Sequence, residues 1–447
     1  MKRPSLQPSL RSLLLSLFLL CSLALVVVAC PSGTDFSLDG VVPNQGFTLA
    51  DLTITIQGRE LNKDLRAFLQ NSSGESFELK ELQFIDKTKL QGKVPKGLPV
   101  GAYDLLVGIG GAEPVRLGAA YEVLPEALVV YFLQAGQGDA TLILSSSGTS
   151  VLIDASREDK GSLIRQSLDK LGIKSLDYIV ATHYDADHVG GFEKVLFGPD
   201  GKLGGPDDLV VRKGVIDRGF GGSKNYGFNK VRDAYKKLHK PLDGKNALSF
   251  PSIPLGGGAV MQVLTTNGVI RKPDGSLINV SCGSDENCRS VGTLLTLGKF
   301  RLWTGGDLTG GGNSGRDKTP DVETKLAPIL GKVDVYRAHH HGSNTSSNTA
   351  FLKALDPQLV VVSAGTDNHY CHPNKNFLQR LLQFPDLQVM VTSRGVLDSK
   401  SCKSTSAELS PFGNRAILDA GTIRLIAKPA EFTVQLPGRS PKTWKTR

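Results

Sequence analysis

Short apolar runs recur along residues 128–363, and each run ends in a polar or glycine-rich turn. The runs are rich in Val, Ile, Leu and aromatic residues, which is typical of buried β-strands. They occupy residues 128–133, 140–144, 150–154, 176–181, 293–297, 300–304, 333–336 and 359–363. Residues 162–172 instead carry apolar side chains at helical spacing and end at Gly172, which predicts a helix. This alternation predicts a mixed α/β layer fold.

The first part of the chain has a different pattern. Residues 36–124 alternate between apolar and polar positions, are interrupted by turn sequences such as residues 43–46, and contain no histidine or cysteine. This pattern predicts a small all-β sandwich. At the other end, residues 437–447 contain several Lys and Arg residues and predict a basic tail.

Residues 1–29 are predicted to be a secretory signal, since a basic start precedes an apolar run over residues 13–29. The run ends in Val-Val-Ala before Cys30, which resembles a bacterial lipobox and predicts lipidation of Cys30. We therefore expect an exported, membrane-anchored lipoprotein that faces the periplasm or the cell exterior. An uncleaved membrane anchor and an ordinary signal peptide are the alternatives.

Charge and cysteine content add two expectations. Removal of residues 1–29 takes away three positive charges and lowers the net charge from +9 to +6, which permits binding to DNA without requiring it. In an oxidising compartment the remaining cysteines are expected to form disulfides. Of three possible connectivities we favour Cys282 with Cys288 and Cys371 with Cys402. Metal ligation by thiolates is the alternative, because Cys371 directly precedes His372.

The densest chemistry lies in residues 182–191, directly after an apolar strand. His183, Asp185, Asp187 and His188 fall within this loop. Ionised carboxylates and neutral imidazoles are costly to bury at this density unless a cation compensates them. The loop therefore predicts a metal centre.

The same arrangement recurs later in the chain. Strands are followed by Asp307, by the histidines at 339–341, and by His369 and His372, so that His239 is the one histidine outside these clusters. Strand ends at one edge of a sheet lie close together, which is where α/β folds place their sites. We expect His239 to be a surface residue.

Five stretches, in this order, resemble metallo-β-lactamase-fold hydrolases and, within them, the soluble hydrolase domain of ComEC-type competence proteins. They are residues 132–140, 182–191, 306–307, 340–343 and 368–373. The resemblance covers residues 127–436 and implies an αββα sandwich with one or two metal ions at the sheet edge. Residues 36–124 resemble an IPT/TIG immunoglobulin-like domain, through residues 42–46, 53–58, 94–95 and 101–104. Its role would be spacing or binding of an unknown partner.

The resemblance also implies roles for individual residues. The implied metal ligands are His183, Asp185, Asp187, His188, Asp307 and His372, with Asp307 bridging two ions. The implied catalytic residues are Asp187, His340, His341 and Ser343. One of these two histidines would ligate metal or protonate a leaving oxygen, and Ser343 would position a phosphate. Asp139 and Asn368 would brace the ligand loops by hydrogen bonds.

Two departures from the family pattern bear on the metal. Asp185 stands where the family usually has a second histidine, and Asn287 or Ser290 occupies the neighbourhood of another expected histidine. More oxygen ligands favour manganese or magnesium over zinc. The expected cofactor is therefore one or two divalent ions, zinc or manganese.

Phosphodiester hydrolysis is the reaction that the sequence favours. Paired metal ions lower the pKa of water and neutralise charge that develops on a phosphodiester. Together with the resemblance, this predicts a nuclease that acts on DNA outside the cell, with a basic segment at residues 212–237 as a candidate DNA track. The alternatives are an envelope hydrolase of a small ester, lactam or phosphocholine-type substrate, and a non-catalytic envelope binding protein.

Overall fold

The protein is described from a computed structural model. The structure describes residues 36–47, 52–125, 127–219, 224–242, 250–312, 318–366, 368, 370–393 and 409–447. The predicted signal, Cys30, His369 and Cys402 lie outside these residues. Within the described part of the chain, no helix is long and apolar enough to cross a membrane.

Residues 36–124 form two β-sheets. The strands are β1 (Ser37–Val42), β2 (Gln45–Phe47), β3 (Leu52–Arg59), β4 (Arg66–Asn71), β5 (Ser76–Glu78), β6 (Lys80–Asp86), β7 (Lys89–Val94), β8 (Gly101–Gly108) and β9 (Val115–Leu124). Among the described residues, one sheet has the order β1-β3-β7-β6 and the other β2-β9-β8-β4-β5. Alternate side chains such as Ile54, Leu69 and Leu105 are fully buried in a shared core. The region is all-β, and its likeness to IPT/TIG domains stays a prediction.

The second region begins with the first strands of a large mixed sheet. These are β10 (Leu128–Phe132), β11 (Thr141–Ser145), β12 (Ser150–Ile153), β13 (Ser175–Ala181), β14 (Val210–Asp217) and β15 (His239–Pro241). Strands β12 to β15 are parallel, so the polar loops that follow them lie at one edge.

A second mixed sheet follows in the chain. Its strands are β16 (Ser252–Gly256), β17 (Ala259–Thr266), β18 (Val269–Arg271), β19 (Leu277–Asn279), β20 (Gly292–Leu297), β21 (Phe300–Thr304), β22 (Val335–Arg337), β23 (Leu359–Val362), β24 (Gln388–Val391) and β25 (Ala416–Ile417). Strands β21 to β25 run parallel, which again places the ends of successive strands at one edge.

The last three strands return to the first sheet. They are β26 (Ile423–Lys428), β27 (Glu431–Gln435) and β28 (Lys442–Lys445). They complete the order β15-β14-β13-β12-β11-β10-β26-β27-β28 within the described residues. The predicted basic tail is therefore wrong: β28 pairs with β27, and Trp444 stacks on the buried Phe432 at 5.0 Å.

Helices cover the outer face of each large sheet. They are α1 (Gly161–Lys170), α2 (Ala186–Val189), α3 (Phe192–Phe197), α4 (Tyr226–Ala234), α5 (Glu323–Leu330), α6 (Thr349–Leu355) and α7 (Lys375–Leu381). One apolar cluster joins α1, α3 and α4 to the first sheet, and another joins α5, α6 and α7 to the second.

A third cluster joins the two large sheets to each other. Strand β10 lies between this cluster and the helices. Val130 faces the other sheet, while Val129 and Tyr131 face the helices. A strand that is buried on both faces has no solvent-facing position. The prediction of a mixed α/β fold is confirmed.

Candidate metal centre

The loop between β13 and α3 is held by a carboxylate that follows β12. Asp154 accepts hydrogen bonds from the N–H of Thr182 at 2.8 Å and from its hydroxyl at 2.7 Å. The same carboxylate contacts His188 Nδ1 at 2.8 Å. This contact orients the ring, so that His188 Nε2 lies 3.2 Å from Asp307 Oδ1.

Asp307 lies in the turn after β21, against the first loop. Gly306 has a φ of 54°, and a Cβ at this position would lie 2.6 Å from the Thr182 hydroxyl oxygen, so the close approach requires glycine. The N–H of Asp307 donates to the Ser290 hydroxyl at 3.1 Å. Its Oδ2 lies 4.0 Å from His183 Nε2. Asp307 thus faces both histidines of the first loop.

His341 turns into this site. Its Nδ1 lies 3.1 Å from the carbonyl oxygen of Ser363, and its Nε2 lies 3.3 Å from Asp187 Oδ2 and 3.8 Å from Asp307 Oδ2. A ring that donates its Nδ1–H to a carbonyl has its free electron pair on Nε2. His341 therefore presents a ligand atom to the same space as Asp187 and Asp307.

The side chains of His339 and His340 point in other directions. The backbone turns here, because His340 and His341 adopt φ values of 50° and 53°. His339 points into the core, where Nε2 accepts from the Trp303 indole at 2.8 Å and Nδ1 contacts Glu323 at 2.6 Å. His340 stays at the rim, with its Nε2 3.7 Å from Asp307 Oδ2 and its side chain 23% exposed.

His372 packs beside these rings. Its ring centre lies 5.3 Å from that of His340 and 6.2 Å from that of His341. The Asn368 amide donates to the His372 carbonyl oxygen at 2.5 Å, so Asn368 braces the His372 backbone. Burial lowers the pKa of His372 to about 3, which leaves its imidazole neutral at neutral pH.

The donor atoms fit a divalent cation. His183, His188 and Asp307 form one group of possible ligands, and Asp187, His188 and His341 form another, with ligand atoms within 4.8 Å of one another. The Nε2 atoms of these three histidines and Asp307 Oδ1 are buried without a hydrogen-bond partner. Ligands at about 2.0–2.1 Å from a tetrahedral ion lie roughly 3.3 Å apart, which is close to the spacing here.

Asp185 is placed less firmly. Its side chain is 51% exposed, and its Oδ2 lies 3.6 Å from His183 Nε2. Solvent competes with a metal for such an oxygen, so Asp185 is a peripheral ligand candidate.

The charges of the site compensate one another. Burial raises the pKa of Asp307, but the charges of His188, His340 and His341 outweigh burial and hold the pKa well below its ordinary value. Burial lowers the pKa of His188, but Asp307 and Asp154 outweigh it and raise the pKa well above its ordinary value. The carboxylates and imidazoles of the centre thus favour one another's charged forms.

Two further predicted residues lie beside the ligands. Asp139 is buried, pairs with the Arg337 guanidinium, and lies 3.5 Å from His341 Nδ1. Ser343 is also buried, but its hydroxyl bonds to the Thr345 hydroxyl at 3.1 Å.

Sequence reasoning missed Asp154, Arg337 and Glu286. Asp154 offered a usable signal, because it follows an apolar strand as Asp307 does. Arg337 offered none: it ends β22, and only the fold shows that its buried guanidinium compensates Asp139. Glu286 contacts the first loop from a distant segment, accepting from the N–H of Tyr184 at 2.8 Å.

The structure corrects the prediction for His239. His239 is half-buried in β15, and its Nε2 contacts the buried Asp217 at 2.9 Å. Asp217 also pairs with Arg232 at 3.2 Å. Arg232 belongs to α4, which ends at Ala234, before β15 begins.

The cysteines that the structure describes are disulfide-bonded. Cys282 and Cys288 are joined, with their Cα atoms 5.5 Å apart. Cys371 is also disulfide-bonded, which argues against a metal thiolate at this position.

Comparison with known proteins defines the class of this domain. Residues 133–214 match the model of the metallo-beta-lactamase superfamily. The chain therefore contains a metallo-β-lactamase domain, a class of fold that usually binds divalent metals such as zinc.

Competence proteins are homologous to the chain at low identity. ComE operon protein 3 of Bacillus subtilis is 27% identical over 50% of the chain and 24% of its own length. Competence protein ComA of Neisseria gonorrhoeae is 26% identical over 64% of the chain and 34% of its own length. Recombination protein 2 of Haemophilus influenzae is 26% identical over 56% of the chain and 26% of its own length. The chain thus spans about a quarter to a third of the length of these curated relatives.

Proposed function

We propose that this chain is a metal-dependent phosphodiesterase that cleaves DNA outside the cytoplasm. The observation that carries the proposal is the convergence of buried donor atoms, without hydrogen-bond partners, from three separate loops: His183 and His188, Asp307, and His341. Such a cluster is costly in the absence of a cation. The two ligand groups share His188, whose Nδ1 contacts Asp154, so its Nε2 can serve one ion.

Each side chain has a distinct part in the proposed reaction. These donors would hold a divalent cation, which when bound would lower the pKa of water and offset charge on the substrate oxygens. Asp154 and Ser363 fix the ring directions of His188 and His341, so that Nε2 of each ring faces the centre. His340, which is the partly exposed histidine at the rim, would donate a proton to the leaving oxygen as its bond to phosphorus breaks.

Two considerations favour a phosphodiester over a lactam or a small ester. The site adds the carboxylates of Asp187 and Asp307 to its imidazoles, and oxygen-rich sites suit the ions that bind phosphate oxygens. The names of the homologous proteins refer to competence and recombination, and both are processes of DNA.

The basic segment at residues 212–237 gives this proposal little support. Arg212 and Lys213 both contact the buried Asp177, at 3.1 and 3.2 Å. Lys230 pairs with Glu193 at 2.6 Å. Because these charges are paired within the chain, they are poor candidates for a DNA track.

The test is hydrolysis by the purified mature chain loaded with manganese or zinc. The substrates are single- and double-stranded DNA, bis-p-nitrophenyl phosphate and a chromogenic lactam. We expect cleavage of the diesters and its loss in Asp187→Ala and Asp307→Ala. The matched control is Asp274→Ala, since the Asp274 carboxylate bonds to Ser276 in a distant turn. Turnover of the lactam alone, or of no substrate by the metal-loaded protein, would contradict the proposal.

We also propose export, with Cys30 as the lipidated anchor and residues 36–124 as a spacer or partner-binding module. The support is the basic and apolar sequence that precedes Cys30. Cell fractionation with labelled fatty acid tests this. We expect fatty-acid label on the wild-type protein in the membrane fraction and no label on Cys30→Ser. Equal distribution of the two proteins between the membrane and soluble fractions would contradict the proposed anchor.

A further inference from the structure

The segment that begins with the Cys282–Cys288 disulfide loop contacts the metal centre at two places, residues 182–184 and Asp307. We call residues 282–291 the brace loop. Its Glu286 accepts from the N–H of Tyr184 at 2.8 Å, and Tyr184 stands between two candidate ligands in the sequence. At its other end, Val291 donates to the Thr182 carbonyl oxygen at 2.8 Å, and the Ser290 hydroxyl accepts from the Asp307 N–H at 3.1 Å.

Glu286 is itself held firmly. The Arg218 guanidinium donates to both of its carboxylate oxygens, at 2.6 and 2.8 Å. Arg218 also lies over the Tyr184 ring, with its central carbon 4.0 Å from the ring centre. A bidentate arginine–carboxylate pair is strong and directional. Glu286, Arg218 and Tyr184 therefore form one unit behind the loop that carries His183.

The disulfide limits how far this unit can move. It closes a ring with a sequence separation of 6, and Glu286 lies inside that ring. Asp285 reinforces the ring, because its N–H donates to the Cys282 carbonyl oxygen and its carboxylate accepts from the N–H of Cys288. A short covalent ring removes most of the conformations that would carry Glu286 away from Tyr184.

We propose that the brace loop positions the metal ligands through Glu286, so that the Cys282–Cys288 disulfide sets the metal affinity of the centre. The inference rests on the proposed metal centre and goes beyond it. Glu286 acts on the ligands as a positioning residue, since it bonds to the backbone between His183 and Asp185 and not to the donor atoms. Loss of such supporting contacts typically lowers metal affinity by about 10–100-fold.

The experiment measures metal binding and not turnover. The metal-free mature chain is titrated with Zn²⁺ and Mn²⁺ by calorimetry, and the visible absorption of the Co²⁺ form reports the ligand geometry. The variants are Glu286→Ala, Glu286→Gln and the double variant Cys282→Ser/Cys288→Ser. Asp274→Asn is the matched control.

We expect Glu286→Ala and the double variant each to weaken binding by about tenfold and to alter the Co²⁺ spectrum. Glu286→Gln keeps one oxygen for the Tyr184 N–H and is expected to lie between wild type and Glu286→Ala. If the disulfide acts through Glu286, adding Glu286→Ala to the double variant should lower the metal affinity little further. The control is expected to bind as wild type does.

The failures are distinguishable. A wild-type chain that binds no metal removes the proposed function and this inference together. Wild-type binding that is unchanged in Glu286→Ala, or losses that add fully in the triple variant, overturns the inference alone. Should the double variant fail to fold by circular dichroism, reduction and alkylation of the folded wild-type chain, with the reagents removed, opens the ring instead. Unchanged affinity after that treatment also overturns the inference.

Discussion

At the scale of single residues, the three consecutive histidines show how one sequence pattern serves three purposes. His339 bonds to Trp303 and Glu323 in the core, His341 faces Asp187 and Asp307, and His340 lies at the rim. The positive φ values at His340 and His341 produce this divergence. Because these residues have different partners, their substitutions should have different consequences.

We predict that His341→Ala and His340→Ala separate metal binding from turnover. His341→Ala removes a ligand atom and should lower metal affinity by about tenfold or more. His340→Ala should leave metal affinity near wild type and lower kcat by about 10²–10⁴-fold, as expected for loss of an acid–base group. Calorimetry and steady-state kinetics on a diester measure the two quantities. Equal effects of both variants on metal affinity would contradict this assignment.

A second prediction concerns the buried pair of Arg337 and Asp139. Burial lowers the pKa of Arg337 to about 9, and its guanidinium compensates the Asp139 carboxylate. Arg337→Met should lower the free energy of unfolding by about 3–5 kcal/mol, because it leaves a buried charge without a partner. Adding Asp139→Asn should recover part of that loss. Denaturant unfolding of the metal-free protein measures both, and no recovery would argue that the loss comes from packing.

At the scale of elements, the last strand changes the status of the C-terminal residues. Strand β28 pairs with β27, and Lys428 and Lys445 both contact Glu431. Trp444 lies flat on Phe432, with the two ring planes 2° apart. Residues expected to be a basic tail therefore form the edge strand of the first large sheet.

We predict that Trp444→Ala lowers the free energy of unfolding by about 1–2 kcal/mol, through lost apolar burial and lost ring stacking. Trp444→Phe should keep most of the stability, because a ring still covers Phe432. Thermal unfolding followed by circular dichroism checks this prediction. Identical melting curves for wild type and Trp444→Ala would mean that these residues behave as a tail in solution.

At the scale of the whole molecule, residues 36–447 form one compact unit. The all-β region and the metallo-β-lactamase domain meet at polar contacts around β26. Arg424 donates to Glu122 at 2.7 Å, and the Gln45 amide donates to the Tyr131 hydroxyl at 2.5 Å. These contacts fix one region against the other.

We predict that this ion pair couples the two regions. Glu122→Gln and Arg424→Met should each cost about 1 kcal/mol of unfolding free energy, and the double variant should cost about 0.5–1 kcal/mol less than the sum. The expected values are small because Glu122 is about one-third exposed. Equilibrium denaturation of the four proteins completes the cycle, and strictly additive losses would show that the pair contributes no coupling.

The sequence by itself determined the class of fold and most of the candidate ligands. Buried strands need apolar residues on both faces, and the ligands directly follow those strands, so both signals are local. His183, His188 and Asp307 were identified in this way, as was the helix that the structure places at Gly161–Lys170. Local signals suffice wherever a side chain's role follows from its neighbours in the chain.

Only the tertiary structure decided which distant groups meet. Asp154 orients His188, Arg337 compensates Asp139, Glu286 reaches the loop at Tyr184, and each contact joins residues far apart in sequence. Such pairings depend on strand order and on backbone turns that apolar periodicity does not encode. The same reason explains why the segment around Trp444 was not predicted to be a strand. Its pairing with β27, where Trp444 lies opposite Phe432, determines its structure, and its charged neighbours in the sequence do not.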